Sequence, residues 1–171
     1  GKDMVFALDG GIYVEGSVIT WMKDKMHLIS DAKETGELAE SVPDTAGVCF
    51  VPALTGLAAP YWDPYARGML IGITPGTERA HVVRAALESI ADQVKDILDL
   101  MEMDSGIRIR AMRVDGGITA NEFLMQFQAD ILGIPVDVPE ISETTALGVA
   151  YMAAYGSGLF KDLDEIEANW K

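Results

Sequence analysis

Two adjacent glycines follow an aspartate in RVDGGITANEFL (residues 113–124), between a segment with the pattern of a strand and one with the pattern of a helix. Because glycine has no Cβ, a flat ring or a phosphate could lie directly against the backbone of Gly116 and Gly117. Ligands of α/β sheets bind beyond the carboxyl ends of the strands, where a helix that begins there has unpaired N–H groups. Asn121 could pair with a base edge, since its amide both donates and accepts. The stretch therefore fits a nucleotide site, and an ordinary turn that needs glycine is the alternative.

Other motifs with a defined chemistry are missing from the sequence. It contains no GxxxxGKS/T phosphate loop, no HExxH, no CxxC and no GxSxG, and the stretch at Asp115 lacks the third glycine of a GxGxxG dinucleotide fingerprint. The two histidines, His27 and His81, are too few for a usual zinc site, so we expect no metal site. The single Cys49 lies in the apolar run GVCFVPAL, which predicts a small buried core residue.

The elements around these residues follow from hydrophobic periodicity. Short apolar runs predict strands at residues 4–11, 47–54, 69–74, 107–114 and 134–139. Apolar residues spaced by three and four predict a helix through Val18, Met22, Met26 and Ile29, and further helices at 78–103, from Thr119 or Ala120 to Gly133, and at 144–156. The polar stretch 30–45 is expected to be solvated helix and loop. Strands that alternate with helices are typical of an α/β fold.

Two segments have an unusual composition. Residues 55–68, TGLAAPYWDPYARG, contain Pro60 and Pro64, which exclude a regular helix or a central strand. An irregular segment of this length is often functional, and the alternative is an ordered loop that packs its own aromatic side chains over an edge of the core. We call residues 55–68 the aromatic loop. The last predicted helix, 144–156, is rich in small residues, which would let its backbone approach a neighbouring element closely.

Composition limits the class of protein. The chain has 171 residues, 49% of them hydrophobic, which is enough for one domain with a packed core. The net charge of −14 disfavours nucleic-acid binding, since a basic face supplies most of that affinity. No apolar run approaches the ~20 residues that a bilayer span requires, so we expect a cytoplasmic protein with no membrane partner. The acidic surface also repels a phosphorylated ligand at long range, so backbone N–H groups, a helix N-terminus or a metal ion must hold one locally.

Several stretches together resemble the FGGY family of carbohydrate kinases, and within it the glycerol kinases. VPALTGLAAPYWDPYARG (51–68) is similar to the long loop of glycerol kinases, and GMLIGITPGTERAHVVRAALE (68–88) is similar to the second FGGY signature. RVDGGITAN (113–121) resembles the adenosine motif of the family, and TALGVAYMAA (145–154) resembles its second connecting helix. The resemblance covers nearly the whole chain.

The resemblance implies a fold and a set of site residues. The fold is an α/β domain of the actin-like, ribonuclease H-like type, two of which close on ATP and substrate. Residues 1–171 are then a single C-terminal nucleotide-binding domain, truncated at its C-terminal tail and at its N-terminal edge, so that its first strands are missing. Gly117 and Asn121 are implied as nucleotide contacts, with Gly116 beside them. Gly16, in VEGSVITW, matches a further contact, and Thr20 stands at a contact position where the family commonly has glutamine.

The resemblance also implies a function. It is the transfer of a phosphoryl group from ATP to glycerol, with Mg²⁺, by a cytoplasmic enzyme that is a homo-oligomer when intact. The catalytic aspartate, the polyol-binding residues and the phosphate loops of the family have no counterpart in this sequence, so we expect no catalytic residue in this chain and no activity from it alone. Two alternatives stay open: another FGGY sugar kinase, xylulokinase-like or gluconokinase-like, and a non-catalytic actin-like binding module.

Overall fold

Helices alternate with short strands in the computed structural model, which describes residues 6–13, 15–141 and 143–169. In chain order the elements are α1 (Glu15–Asp24), α2 (Glu34–Glu40), β1 (Cys49–Val51), β2 (Met69–Ile71), α3 (Arg79–Ser105), β3 (Met112–Arg113), a 3-10 helix (Gly117–Ala120), α4 (Glu122–Leu132), β4 (Val136–Asp137), α5 (Thr144–Gly156) and α6 (Leu163–Glu167). Strands β1 and β2 pair antiparallel, with Phe50 opposite Leu70. Strands β3 and β4 pair parallel, with Met112 opposite Val136, so that β3, α4 and β4 form a βαβ unit.

Helix α3 forms the centre of the core. Its apolar stripe is buried along the first half of the helix, where Val83 and Leu87 are completely inaccessible to solvent. Val83 belongs to a cluster that α1 and β1 complete with Val18, Met22 and Phe50. Leu87 belongs to a second cluster, which α2 and α4 complete with Ala39 and Leu124. Helix α3 therefore connects the β1–β2 hairpin to the region that contains the Gly-Gly stretch.

Both ends of α3 are closed by local hydrogen bonds. At the start, the backbone N–H of Glu78 donates to Nδ1 of His81, 2.9 Å away, so this histidine closes the first turn of the helix. At the end, Gly106 adopts a left-handed conformation with φ of 68°, and its N–H donates to the carbonyl of Glu102. Glycine accommodates this conformation without strain because it has no Cβ. The predicted helix over 78–103 is confirmed, and it extends to Ser105.

Three expectations about the first half of the chain are wrong. Residues 6–11 form no strand, and the rest of the predicted strand 4–11 lies outside the described residues. Helix α1 ends at Asp24, since the chain turns at His27 with φ of 51°, so Met26 is exposed and does not continue the stripe of Val18 and Met22. Cys49 is exposed because side chains alternate along β1 and Phe50 occupies the inward position.

In the second half of the chain, the predicted helices and strands are found, but some of them differ from the prediction in length or burial. Helix α5 has the predicted bounds, yet none of its residues is buried in the described part of the chain, so the expected close approach to a neighbouring element is not found there. The strands predicted at 107–114 and 134–139 shrink to two residues each. Among the described residues, β3 and β4 form a two-stranded sheet, in which Met112 N–H donates to Pro135 O and Val114 N–H donates to Asp137 O.

The aromatic loop is ordered by hydrogen bonds rather than by buried rings. The N–H of Leu57 donates to the carbonyl of Asp63 at 2.8 Å, and the Asp63 carboxylate accepts from the N–H of Tyr65 at 2.8 Å. The Tyr61 hydroxyl donates to Asp96 of α3 at 2.9 Å, and this bond and the charge of Asp96 raise the pKa of the tyrosine. Trp62 and Tyr65 are mostly exposed. The loop is thus tethered to α3 while its other aromatic rings face outward.

Asp92 lies on the same surface of α3, one helical turn from Glu88 and from Asp96. Partial burial, together with the negative charges of Glu88 and Asp96, raises the pKa of the Asp92 carboxyl above its ordinary value. A raised folded-state pKa stabilises the fold at pH values below the ordinary pKa, and this contribution is lost as the pH rises through the raised pKa. At neutral pH the ionised Asp92 therefore weakens the folded state.

Asp92→Asn is expected to raise the urea midpoint of unfolding at pH 7, because it removes this charge. The difference from wild type should shrink as the pH falls through the raised pKa, since protonation then neutralises Asp92 as well. Asp99→Asn is the control, because Asp99 pairs with Lys95 at 2.7 Å and its loss should not raise the midpoint. A gain for Asp92→Asn that is the same at all pH values would contradict the assignment.

Candidate functional site

The two glycines after β3 have different structural roles. Gly116 has φ of 89° and ψ of 172°, a conformation that side-chain-bearing residues rarely adopt. Gly117 begins the 3-10 helix with no left-handed φ, and a Cβ placed on it would meet no atom within 4 Å. Gly116 is therefore required by the turn, whereas Gly117 leaves open space beside the backbone.

Neighbouring side chains fix this turn. The hydroxyl of Thr119 donates to the carbonyl of Gly116 at 2.7 Å, and the Thr119 N–H donates to the same oxygen at 3.1 Å. The carboxylate of Asp115 accepts from the hydroxyl of Thr144, the first residue of α5. The turn between β3 and α4 is thus closed from within and tied to a second helix.

Asn121 caps α4 and binds α2 at the same time. Its Oδ1 accepts from the N–H of Leu124 at 3.0 Å, which is the usual bond of an N-cap side chain. Its Nδ2 donates to Oγ1 of Thr35 on α2 at 2.9 Å. The sequence suggested an amide on the first helical turn that is free for a ligand. In the structure the amide makes two internal bonds, and one N–H and one lone pair have no further bond to the part of the chain that the structure describes.

A cavity of about 570 Å³ lies between α2 and the junction of the 3-10 helix with α4. Its volume is within the range of small-molecule sites, roughly 300–1,000 Å³. Gly36 of α2 lines one side, and Gly117 and Asn121 line the other. Ile19, Ile118 and Phe123 supply its apolar surface. The cavity thus combines a flat glycine backbone, an amide and apolar side chains.

Arg84 of α3 links the two sides of this cavity. Its Nη1 donates to the carbonyls of Ala39 and Val42, at 3.2 Å and 2.6 Å, at the C-terminal end of α2. Its guanidinium also lies over the ring of Phe123 in α4, 5.1 Å from the ring centroid, and its Nε pairs with Glu88 at 2.7 Å. Arg84 therefore contacts both α2 and α4 from its position on α3.

The rim of the cavity is acidic. Four carboxylates, those of Asp31, Glu37, Glu40 and Glu122, line it together with one cation, Lys33. This charge opposes the approach of an anion, because like charges repel across a short distance. The rim thus favours the neutral part of a nucleotide, its base and sugar, over the phosphates.

The predicted site residues divide into two groups. Gly117 and Asn121 line the cavity, and Gly116 forms the turn next to them. Gly16 and Thr20 lie exposed on α1, where the Thr20 hydroxyl donates to the Gly16 carbonyl at 3.1 Å. They are not among the described residues that line the cavity, which α1 reaches through Ile19 instead.

Sequence reasoning missed the contribution of α2. Residues 30–45 were expected to be solvated, yet Thr35 is completely buried against Asn121. Gly36 lies so close to the same amide that a Cβ on it would come within 3.3 Å of Asn121 Oδ1. No local pattern could have indicated this, since Thr35 and Asn121 are 86 positions apart.

Other features of the described residues carry no assigned role. A second cavity, of about 330 Å³, lies beside α5 and α6, is lined by Leu147, Tyr151 and Ile166 among others, and contains none of the predicted site residues. Within residues 6–13, 15–141 and 143–169, no group of three or more His, Cys, Asp or Glu is placed to hold a metal ion. In the same part of the chain, no helix is both long enough and apolar enough to cross a membrane.

The fold and the Gly-Gly turn can be compared with known protein families. The sequence matches the FGGY family of carbohydrate kinases, C-terminal domain, over residues 1–157. The chain therefore belongs to the FGGY family of carbohydrate kinases, and the predicted actin-like, ribonuclease H-like α/β fold is confirmed by its structural neighbours, which are FGGY sugar kinases.

Among individual proteins, glycerol kinases are similar to this chain. Glycerol kinase 2 of Thermotoga maritima is 56% identical over 166 residues, which is 97% of this chain and 34% of that protein. The glycerol kinase of Pseudothermotoga lettingae is 54% identical over 170 residues, 99% of this chain and 34% of that protein. The chain thus spans about a third of the length of these relatives.

Solved structures of FGGY kinases are also similar to this chain. The crystal structure of Plasmodium falciparum glycerol kinase with ADP superposes with a TM-score of 0.82 at 40% identity, covering 90% of this chain and 30% of that one. The ligand-bound xylulose kinase from Lactobacillus acidophilus superposes with a TM-score of 0.73 at 25% identity, covering 91% of this chain and 32% of that one.

The two hydrogen bonds of Asn121 should stabilise the fold. Asn121→Ala should lower the free energy of unfolding by about 1–2 kcal/mol, because α4 loses its cap and the Thr35 hydroxyl loses a buried partner. Asn121→Asp should recover part of the loss, since a carboxylate still accepts from the Leu124 N–H. Urea denaturation measures both variants.

The control is Gln126→Ala on the exposed side of α4, where the side chain donates to Asp130 at 2.8 Å. A surface substitution of this kind should change the free energy of unfolding by less than about 0.5 kcal/mol. If Asn121→Ala costs no more than this control, the cap and the link to α2 do not contribute as described.

Proposed function

We propose that this chain is the ATP-binding C-terminal portion of a glycerol kinase, which transfers a phosphoryl group from ATP to glycerol and yields glycerol 3-phosphate and ADP. The observation that carries the proposal is the cavity between α2 and α4, which Gly117 and Asn121 line. Both residues lie in the stretch that resembles the adenosine motif, and a glycerol kinase with ADP is among the structural neighbours. In this proposal residues 1–171 act as a single nucleotide-binding domain.

The adenosine end of ATP is the part that suits this cavity. The backbone at Gly117 leaves space for a planar base, and the free N–H and lone pair of Asn121 can pair with its edge. The acidic rim disfavours the phosphates, so they point out of the cavity. Gly116 supports the turn, and Gly16 and Thr20 are proposed as further nucleotide contacts at the exposed face of α1.

The chemical step needs groups that we do not assign to this chain. Phosphoryl transfer depends on positioning and on stabilisation of negative charge by cations. Mg²⁺ supplies such charge stabilisation when it is bound to the phosphates of ATP, but the described residues offer no ligand set for it, so none is assigned to it. No residue of this chain is proposed as the base that accepts the proton of the glycerol hydroxyl.

Glycerol as the acceptor is inferred from relatives. The glycerol kinases are 56% and 54% identical to this chain, whereas the xylulose and gluconate kinases of Lactobacillus acidophilus are each 25% identical. The aromatic loop also has the sequence typical of glycerol kinases. The proposal includes a cytoplasmic, homo-oligomeric enzyme.

Gly117→Val tests the nucleotide contact. In the intact kinase the variant should raise the KM for ATP by at least about tenfold, because a branched side chain fills the space where the base lies. The fold should persist, since Gly117 has no left-handed φ and its Cβ would meet no neighbour. Gly156→Val is the matched control, because Gly156 also has open space around it and lies at the end of α5. An unchanged KM for ATP in a folded Gly117→Val protein contradicts the assignment.

The proposal assigns nucleotide binding to this chain but not the chemical step, and this predicts the activity of the chain itself. Purified residues 1–171 should show no phosphorylation of glycerol with ATP and Mg²⁺, because neither a base nor phosphate-binding cations are assigned to it. A coupled assay for ADP release, with the intact kinase as the positive control, measures this. Glycerol-dependent ADP release by the chain alone would show that the chain does contain a base and phosphate-binding groups.

A further inference from the structure

Thr35 is a fully buried polar residue with an assigned partner on each side. Its hydroxyl donates to the carbonyl of Ala32 at 2.6 Å, and the same oxygen accepts from Nδ2 of Asn121 at 2.9 Å. A threonine hydroxyl has one hydrogen, and here that hydrogen is used for Ala32. Thr35 can therefore only accept from Asn121, which means that the asparagine must present its NH₂ group, and not its oxygen, to α2.

The opposite end of the same amide is fixed as well. Oδ1 of Asn121 accepts from the N–H of Leu124, and Gly36 leaves only enough space for this oxygen, since a Cβ there would come within 3.3 Å of it. The amide is thus held by two hydrogen bonds and by the close approach of α2. Its orientation leaves one N–H and one lone pair at fixed positions in the cavity wall.

We propose that Thr35 and Gly36 are positioning residues for nucleotide recognition, which hold the Asn121 amide in the one orientation that matches the edge of the base. The inference rests on the proposed function, because it assigns the ligand of this cavity as a nucleoside triphosphate bound by its base. It extends that function by assigning to α2, which lies outside the Gly-Gly stretch, the residues that orient the Asn121 amide.

The bond between Thr35 and Asn121 could serve stability alone, so the test must separate the two roles. Thr35→Val keeps the shape of the side chain and removes the hydroxyl, and Thr35→Ser keeps the hydroxyl. In the intact kinase, Thr35→Val should raise the KM for ATP about five- to tenfold, the effect of one positioned hydrogen bond, with little change in the KM for glycerol. It should also reduce the preference for ATP over GTP, and Thr35→Ser should restore both values.

Gly36→Ala provides a second variant, which keeps the hydroxyl of Thr35. Alanine favours a helix more than glycine does, so the melting temperature should stay the same or rise. The new methyl group presses on Asn121 Oδ1, so the KM for ATP should rise about two- to fivefold while the KM for glycerol stays constant. A merely structural role of Gly36 does not predict this combination of higher stability and weaker ATP use.

The outcomes distinguish the inference from the proposed function. A wild-type protein that does not use ATP overturns the proposed function and the inference with it. If wild type uses ATP but Thr35→Val has the wild-type KM for ATP, or if Thr35→Ser is impaired equally, the inference alone is wrong. If Thr35→Val is too unstable to assay, Gly36→Ala decides, and an unchanged KM for ATP in that variant overturns the inference.

Discussion

Burial of one face of α3 is the constraint on which the rest of the molecule depends. The β1–β2 hairpin, α1, α2 and α4 all rest on this face, where Val83, Leu87 and Ala91 are inaccessible to solvent. Burying a side chain of the size of Val83 or Leu87 contributes roughly 1.5–3 kcal/mol, more than a typical single hydrogen bond. The position of α2 relative to α4, and so the width of the cavity, is therefore determined mainly by packing against α3.

Two polar contacts then join α2 and α4, whose positions are set by packing on α3. Arg84 binds the carbonyls at the end of α2, where the partial negative charge of the helix dipole favours a cation, and its guanidinium lies over the ring of Phe123 in α4. A second link between the same two helices is the hydrogen bond from Asn121 to Thr35. Both contacts are partly buried, so they are less screened by solvent than a surface ion pair such as Lys95–Asp99. The two helices are thus fixed in distance by α3 and in register by these two links.

The sequence predicted the elements that are long or end in a strong local signal. Helix α3 has an apolar stripe over many turns and a glycine stop, and α4 ends at Gly133 with φ of 66°, as its pattern indicates. Strand limits were predicted less well, because the length of β3 is set by the partner it finds in β4. Cys49 was misplaced by one position, since a period of two assigns opposite faces to neighbouring residues and Phe50 takes the inward one.

The candidate site was predictable to the extent that it lies in one continuous stretch. Gly117 and Asn121 are four residues apart, and one motif indicated both of them. Thr35 and Gly36 belong to a helix that looks like a solvated acidic segment, and their proximity to Asn121 arises only from the packing of α2 and α4 on α3. A tertiary contact of this kind leaves no trace in the local pattern of either segment.

Gly116 and Gly117 differ in backbone conformation, and this difference bears on whether each serves a turn or the proposed ligand. Gly116 has the backbone conformation that requires glycine, and Gly117 has an ordinary conformation with open space where a side chain would be. A turn alone would explain only the first of them. Gly117 also lines a cavity that contains the amide of Asn121, and the proposed binding of a base would use this arrangement, whereas a turn does not need it.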